Sequence, residues 1–164
     1  LYTPEQRRRR DSTSWTLVQG VLAPLQFVVF LGSLALVIRY LSTGQGEAIA
    51  AASIVLKTII LYLIMVTGAI WERVVFGVYL FADAFFWEDV VSMLVIGLHT
   101  AYLVALLFDA LGTTHLMYLA LAAYAAYVVN ATQFLLKLRA ARLAEQDVAA
   151  QQDAALDPAA GATP

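Results

Sequence analysis

Four apolar stretches, each long enough to cross a lipid bilayer, constrain this chain of 164 residues more than any other feature. They cover approximately residues 17–40, 48–71, 88–108 and 116–138. A helix of roughly 20 apolar residues spans the hydrocarbon core and satisfies its own backbone polar groups. The chain is also 62% hydrophobic, whereas soluble domains are about 45–50% apolar. We therefore predict an all-α fold, an integral membrane four-helix bundle.

The predicted spans form a single transmembrane domain, residues 1–142. The remaining residues, 143–164, are rich in Ala, Gln and Asp and lack large apolar clusters, so we expect a disordered tail. The connection between the second and third spans, residues 72–87, is too apolar for a solvated loop. We expect it to dip into the membrane interface, with a short interfacial helix as one form.

Lysine and arginine residues set the expected orientation. Arg7–Arg10 precede the first span, and Lys137, Arg139 and Arg142 follow the fourth. An even number of spans puts both groups on one side, and basic residues favour the cytoplasmic side. We predict that both termini are cytoplasmic.

Lys57 lies in the middle of the second stretch, where an ammonium costs about 3 kcal/mol on insertion scales. It therefore requires a partner in a shared interior. Positions seven residues apart lie nearly on one line of a helix, and polar or small residues recur along such lines in all four spans. These stripes predict one polar interior. They consist of Trp15, Gln19, Gln26 and Ser33; Ser53, Lys57, Gly68 and Glu72; Glu88, Ser92 and His99; and Ala123, Ala126, Asn130 and Gln133.

Depth divides the polar residues into two layers, at about 1.5 Å of rise per residue. Gln26, Lys57 and His99 fall near the predicted midplane. The carboxyl groups and Asn130 fall in the cytoplasmic half or at its edge; these carboxyl groups belong to Glu72, Glu88 and Asp89.

Each of these residues also has a purely structural interpretation. Lys57 could neutralise a carboxylate or bond backbone carbonyls, and a single His such as His99 is more often a hydrogen-bonded packing residue. Acids at the start of a helix complement its dipole, which would account for one of Glu88 and Asp89. Asn130 could hold two helices together.

Several chemistries have no motif in the sequence. It contains no cysteine, phosphate-binding loop, zinc motif or hydrolase elbow. We predict no resident metal, no cofactor and no nucleic-acid partner. Composition alone leaves three functions open: an enzyme, a non-catalytic tetraspan subunit that binds a pigment or aids assembly, and a small transporter or proton-conducting bundle.

Six strings carry a resemblance to a known family. They are WTLVQGVLAP at 15–24, KT at 57–58, MVTGAIWE at 65–72, FFWEDV at 85–90, LHTAYL at 98–103 and YVVN at 127–130. Over nearly all of residues 1–142 the chain resembles the 3-vinyl bacteriochlorophyllide hydratase family, whose older name uses 2-vinyl. The resemblance implies a hydro-lyase of bacteriochlorophyll a biosynthesis. Such an enzyme adds water to the C3 vinyl group of a chlorophyllide-type tetrapyrrole, giving a 1-hydroxyethyl group.

The resemblance further implies a bacterial inner membrane, either cytoplasmic or intracytoplasmic and photosynthetic. A homo-oligomer and contacts with other pigment-biosynthesis enzymes would fit that setting. The stripes, rather than the family, suggest residues for the reaction. We assign Glu88 as the acid, because it faces inward, and Asp89 or Glu72 as the group that activates water.

The remaining candidates would bind the substrate. His99 could ligate the magnesium of the macrocycle or serve as a second acid. Arg73 could pair with the substrate propionate, with Lys57 as a deeper alternative. We also assign Gln26, Asn130 and Trp87 to the substrate site; the aromatic cluster around Trp87 would cover the ring plane or anchor in lipid.

Overall fold

The computed structural model describes the backbone of residues 1–156 and the side chains of residues 1–151. Five helices follow one another in this part of the chain. Four of them are long and apolar enough to span a membrane, which confirms the all-α membrane fold. The helices are α1 (Pro4–Ser12), α2 (Ser14–Thr43), α3 (Glu47–Phe76), α4 (Phe86–Leu107) and α5 (Thr113–Leu156).

The four spans pair as two helical hairpins. α2 packs mainly against α3, and α4 packs mainly against α5, while contacts between the hairpins are sparser. The hairpins meet over a core that includes Phe30, Ile54, Tyr102 and Tyr124. Many large apolar side chains on all four spans point outward. This is the pattern expected for helices surrounded by lipid.

The helices extend beyond the predicted apolar windows. α2 and α3 each contain 30 residues, which corresponds to about 45 Å, longer than a hydrocarbon core of about 30 Å. Their ends therefore lie outside the apolar windows. Gly44 and Gly77 end the two helices in the left-handed conformation, with φ of 70° and 90°, which glycine adopts without a Cβ clash.

The structure departs from the prediction at both ends of the chain. α1 was not predicted, although its N-terminus carries a readable capping box between Thr3 and Gln6 with Pro4 in its first turn. α5 continues as a helix to Leu156, where a disordered tail was expected from residue 143. Residues 143–156 are rich in Ala and Gln, which are good helix formers. Residues 157–164 lie outside the described part.

Contacts join the two extensions. Arg7 and Arg10 of α1 each pair with Glu145 of α5, at 3.5 and 3.3 Å. α1 also packs against α3, where Tyr2 stacks on Phe76. The N-terminal helix and the distal part of α5 therefore lie at the same end of the bundle.

The connection between α3 and α4 contains no helix. Glu72 to Phe76 still belong to α3, and residues 77–85 form bends and a turn. The expected interfacial helix is therefore absent from this described segment. The physical reason is that Gly77 ends α3 and that side-chain carboxylates, rather than helical carbonyls, accept the N–H groups of Phe81 and Ala82.

Candidate active site

Three carboxyl groups meet at one end of the bundle, and all three are buried. Glu72 lies near the end of α3, and Glu88 and Asp89 lie in the first turn of α4. Their exposed fractions are 5%, 6% and 3%. Carboxyl groups at this burial require hydrogen-bond or charge partners. The short α3–α4 connection places all three at the same end of the bundle.

Glu72 and Asp89 accept the backbone N–H groups of two consecutive residues in the α3–α4 connection, which brings the two carboxyl groups close together. Asp89 Oδ2 lies 2.7 Å from the nitrogen of Phe81, and Glu72 Oε2 lies 3.3 Å from the nitrogen of Ala82. Two ionised carboxylates repel each other at close range, and a proton shared between them would remove that repulsion. With one proton, the two groups would be an acid beside its conjugate base.

Glu88 has different partners from the other two carboxyl groups. Its Oε2 lies 2.5 Å from Nζ of Lys137 on α5. Its backbone oxygen accepts a hydrogen bond from Nδ2 of Asn130 at 2.8 Å, and Ser92 Oγ donates to Asn130 Oδ1 at 3.2 Å. Glu88 is therefore an anion neutralised by an ammonium, whereas Glu72 and Asp89 bind amides of the α3–α4 connection.

Lys137 is a functional candidate that the sequence analysis missed. It served there only as evidence for orientation. Lys137 lies seven residues after Asn130 and thus on the same line of α5. Extending the fourth stripe by one heptad would have found it.

Lys57 and His99 form a second cluster inside the membrane-spanning core. Both have an exposed fraction of 0%, and Lys57 Nζ lies 3.2 Å from His99 Nε2. The other ring nitrogen, Nδ1, lies 2.8 Å from the backbone oxygen of Val95. His99 therefore donates from Nδ1 and accepts from Lys57 at Nε2. The Lys57 ammonium also faces the ring of Tyr127, 4.0 Å from its centre, which is a favourable cation–π arrangement.

The two clusters are well separated, which divides the single interior expected from the sequence. Lys57 and Glu72 lie 15 residues apart on α3, or about 22 Å along the helix axis. His99 and Asp89 lie ten residues apart on α4, or about 15 Å. Both nitrogens of His99 are engaged, so no lone pair is free for magnesium in this arrangement. The geometry does not support the predicted role of His99 as a magnesium ligand.

The other predicted substrate residues lie in three different settings. Gln26 is buried, and its Oε1 has no hydrogen-bond partner among the described residues. Arg73 is exposed, donates to the backbone oxygen of Gly77 and lies over the ring of Tyr79. Trp87 is 68% exposed. In the part of the chain that the structure describes, no three His, Cys, Asp or Glu side chains are grouped to hold a metal ion.

A cavity of about 500 Å³ lies near this end of the bundle, and none of the three buried carboxyl side chains is in its wall. It lies between α1 and the α3–α4 connection, and its walls include Phe76, Phe81 and Ala82. Because Phe81 and Ala82 also donate their N–H groups to the carboxyl pair, one peptide segment separates the cavity from Glu72 and Asp89. Gln6 and Asp83 supply polar groups at the cavity wall.

The fold and this site define a class: a multi-pass membrane protein with a buried carboxyl pair at one end of a four-span bundle. The family model described as 2-vinyl bacteriochlorophyllide hydratase (BCHF) matches residues 2–140. The chain belongs to this family, which confirms the resemblance recognised in its sequence.

Two relatives extend the comparison. The chain is 68% identical over 145 residues to the 2-vinyl bacteriochlorophyllide hydratase of Cereibacter sphaeroides, covering 87% of this chain and 89% of the relative. It is 65% identical over 143 residues to the protein of the same name from Rhodobacter capsulatus, covering 87% and 83%. No solved structure matches the chain.

The Lys57–His99 contact generates a prediction about stability. His99→Leu should lower the free energy of unfolding by about 3 kcal/mol, because it leaves a buried amine without its acceptor. Lys57→Met should cost less, since it removes the buried amine and keeps its apolar stem. The double variant should therefore be more stable than His99→Leu alone. Denaturation in detergent micelles measures all three, and additive losses would contradict the pairing.

Proposed function

We infer that this protein is a hydratase that adds water to the vinyl group of a bacteriochlorophyllide-type tetrapyrrole. The observation that carries this inference is the 68% identity to a protein named as that hydratase, over most of both chains. The structure supports this with a pair of buried carboxyl groups, which would be an acid beside its conjugate base when they share one proton. Hydration adds one water molecule across the double bond of the vinyl group. It involves no net oxidation or reduction, so the reaction itself requires no redox cofactor.

The reaction requires an acid, a positioned water and a base. Protonation of the terminal CH₂ of the vinyl group leaves a cation on the carbon next to the ring, where the macrocycle delocalises it. Water attacks that carbon, and a base removes one proton from the attacking water. The product is a 1-hydroxyethyl group, and the enzyme regains the proton it gave. General acid catalysis and general base catalysis of this kind each increase the reaction rate by about 10²–10⁴-fold.

We assign both proton transfers to the Glu72–Asp89 pair. A single shared proton leaves one carboxyl group able to donate and the other able to accept. Glu88 was the acid suggested by its inward-facing position in the sequence. Its contact with Lys137 favours the anion instead, so we place Glu88 beside the pair rather than in the proton transfer.

The cavity beside the connection is the proposed seat of the macrocycle. Apolar side chains line much of it, which suits a flat, largely apolar ring system. Phe81, in its wall, has φ of 60°, a conformation that L side chains rarely adopt. Strain of this kind, held here by the bond to Asp89, is common at functional sites. We propose that substrate binding displaces this peptide and admits the vinyl group to the pair.

Two exposed residues complete the proposed substrate site. Arg73 lies at the same end of the bundle and could pair with a propionate carboxylate at the membrane surface. Trp87 suits an interfacial anchor, because indole rings favour the boundary between lipid and water. Roles for Lys57, Gln26 and Asn130 in direct substrate contact have no further support from the geometry and stay predictions, as do a homo-oligomer and contacts with other pigment enzymes.

Substitutions at the pair test the assignment. Glu72→Gln and Asp89→Asn should each lower hydration by about 10²–10⁴-fold, because each removes an acid or a base. The assay incubates purified protein with a vinyl bacteriochlorophyllide and follows the gain of one water by mass. Asp109→Asn, in the connection between α4 and α5 at the opposite end of the bundle, is the matched control and should hydrate normally.

Three outcomes separate the alternatives. Normal hydration by both variants would remove the pair from the mechanism. Pigment binding by the unaltered protein without a change of pigment mass would instead indicate the non-catalytic pigment-binding subunit. Pigment-independent flux in proteoliposomes would indicate a transporter.

We also propose that the carboxyl pair and both termini face the cytoplasm, in the inner or intracytoplasmic photosynthetic membrane of a bacterium. The support is the set of basic residues at this end, including Arg7–Arg10, Arg139 and Arg142. A fluorescent protein fused to the C-terminus should fluoresce, and alkaline phosphatase fused there should be inactive. Phosphatase inserted between Gly44 and Gly46, on the opposite side, should be active. The reverse pattern would contradict the orientation.

A further inference from the structure

Among the described residues, Lys137 is the one cationic side chain that forms an ion pair with a buried carboxyl group at this end of the bundle, that of Glu88. Its Nζ lies 2.5 Å from Glu88 Oε2 and 5.1 Å from the centre of the Phe85 ring. The side chain of Glu88 is 8% exposed and that of Lys137 is 27% exposed. The ion pair is thus largely shielded from water. Coulomb interactions in such a shielded setting are stronger than at an exposed surface.

The position of Lys137 is fixed by a second contact between the same two helices. Asn130, two turns earlier on α5, binds the backbone oxygen of Glu88, and Lys137 binds its side chain. α5 therefore holds one residue of α4 at two points. Glu88 directly precedes Asp89 in α4, so Lys137 brings its positive charge next to the Glu72–Asp89 pair.

The charges at this end can be counted group by group. Glu88 is adjacent to Asp89 in α4 and is paired with Lys137 of α5, while Phe81 and Ala82 of the connection donate amides to the Glu72–Asp89 pair. With Lys137 present, the charge of Glu88 is neutralised. Without Lys137, Glu88 would be an unneutralised anion beside the pair and would compete for its proton.

We propose that Lys137 is a positioning residue that keeps Glu88 ionised and out of the proton transfer, so that the Glu72–Asp89 pair alone carries the catalytic proton. This inference rests on the proposed hydratase function. Lys137 contacts neither the reacting vinyl group nor the pair directly. Lys137 acts through Glu88 and through the electric field of its own charge. Its substitution therefore changes the pH at which the Glu72–Asp89 pair is half-protonated.

The proposal predicts opposite effects for two substitutions. Lys137→Met removes a positive charge, so the pair holds its proton more strongly and the profile of kcat against pH moves to higher pH. Glu88→Gln removes a negative charge and leaves the ammonium, so the profile moves to lower pH. A unit charge within about 8 Å, at an effective dielectric constant near 20, corresponds to about one to two pH units.

The experiment measures kcat and KM of hydration from pH 5 to about pH 9 for unaltered protein and the variants. The double variant, Lys137→Met with Glu88→Gln, should return the profile close to that of the unaltered protein. Lys137→Arg should have the same profile as the unaltered protein, since the positive charge is kept. Arg139→Met, an exposed cation two residues further along α5, is the matched control and should not move the profile. KM should change little in all of them.

The outcomes are distinguishable from a purely structural role and from failure of the proposed function. If Lys137 only fastens α5 to α4, Lys137→Met will lower stability and activity without moving the profile, which overturns the proposal. Loss of hydration in Glu88→Gln at every pH would also overturn it, because Glu88 would then be the proton carrier. If Lys137→Met does not fold, the Glu88→Gln profile still decides. Absence of hydration by the unaltered protein would overturn the proposed function itself.

Discussion

The placement of the buried carboxyl groups of Glu72 and Asp89 on two consecutive amides is the arrangement on which this end of the molecule depends. Two acids buried at the boundary of an apolar bundle need backbone amides and a shared proton to compensate their charge. The α3–α4 connection supplies those amides through Phe81 and Ala82. These bonds join two helices and shape the connection between them, and we propose that the pair holds one proton.

The lipid environment explains why the polar residues are grouped as they are. A charged side chain inside the span must find a partner within the bundle, because lipid offers none. Lys57 has His99 and the face of Tyr127, and Glu88 has Lys137. The first pair lies deep and engages both nitrogens of its histidine, which suits a role in stability. The second lies beside the carboxyl pair, which suits a role in chemistry.

Much of the fold could be predicted from the sequence, because apolar length and seven-residue spacing are local signals. The stripes correctly placed Gln26, Lys57, Glu72, Glu88 and His99 in the interior. Helix α1 and the continuation of α5 were missed, since hydropathy detects only segments that lie in lipid. The capping box at Thr3 was a usable signal for α1.

The division of the interior into two clusters could not be read from stripes, which give a face but no partner. Seven-residue spacing does not predict that Asp89 and Glu72 bind the same connection while Glu88, the neighbour of Asp89, pairs with Lys137. Those choices depend on the path of residues 77–85 and on the rotation of α5 against α4. The family resemblance supplied the reaction, and the contacts support our proposal that the Glu72–Asp89 pair carries both proton transfers.

The most direct test of the shared proton is infrared spectroscopy of the purified protein at neutral pH. A protonated carboxyl group has a carbonyl stretch distinct from the bands of carboxylates, and the band moves in heavy water. The unaltered protein and Glu88→Gln should both show it, and Glu72→Gln and Asp89→Asn should lose or shift it. A spectrum without the band, or a band that disappears only in Glu88→Gln, would contradict the pairing of Glu72 with Asp89 as the proton-carrying site.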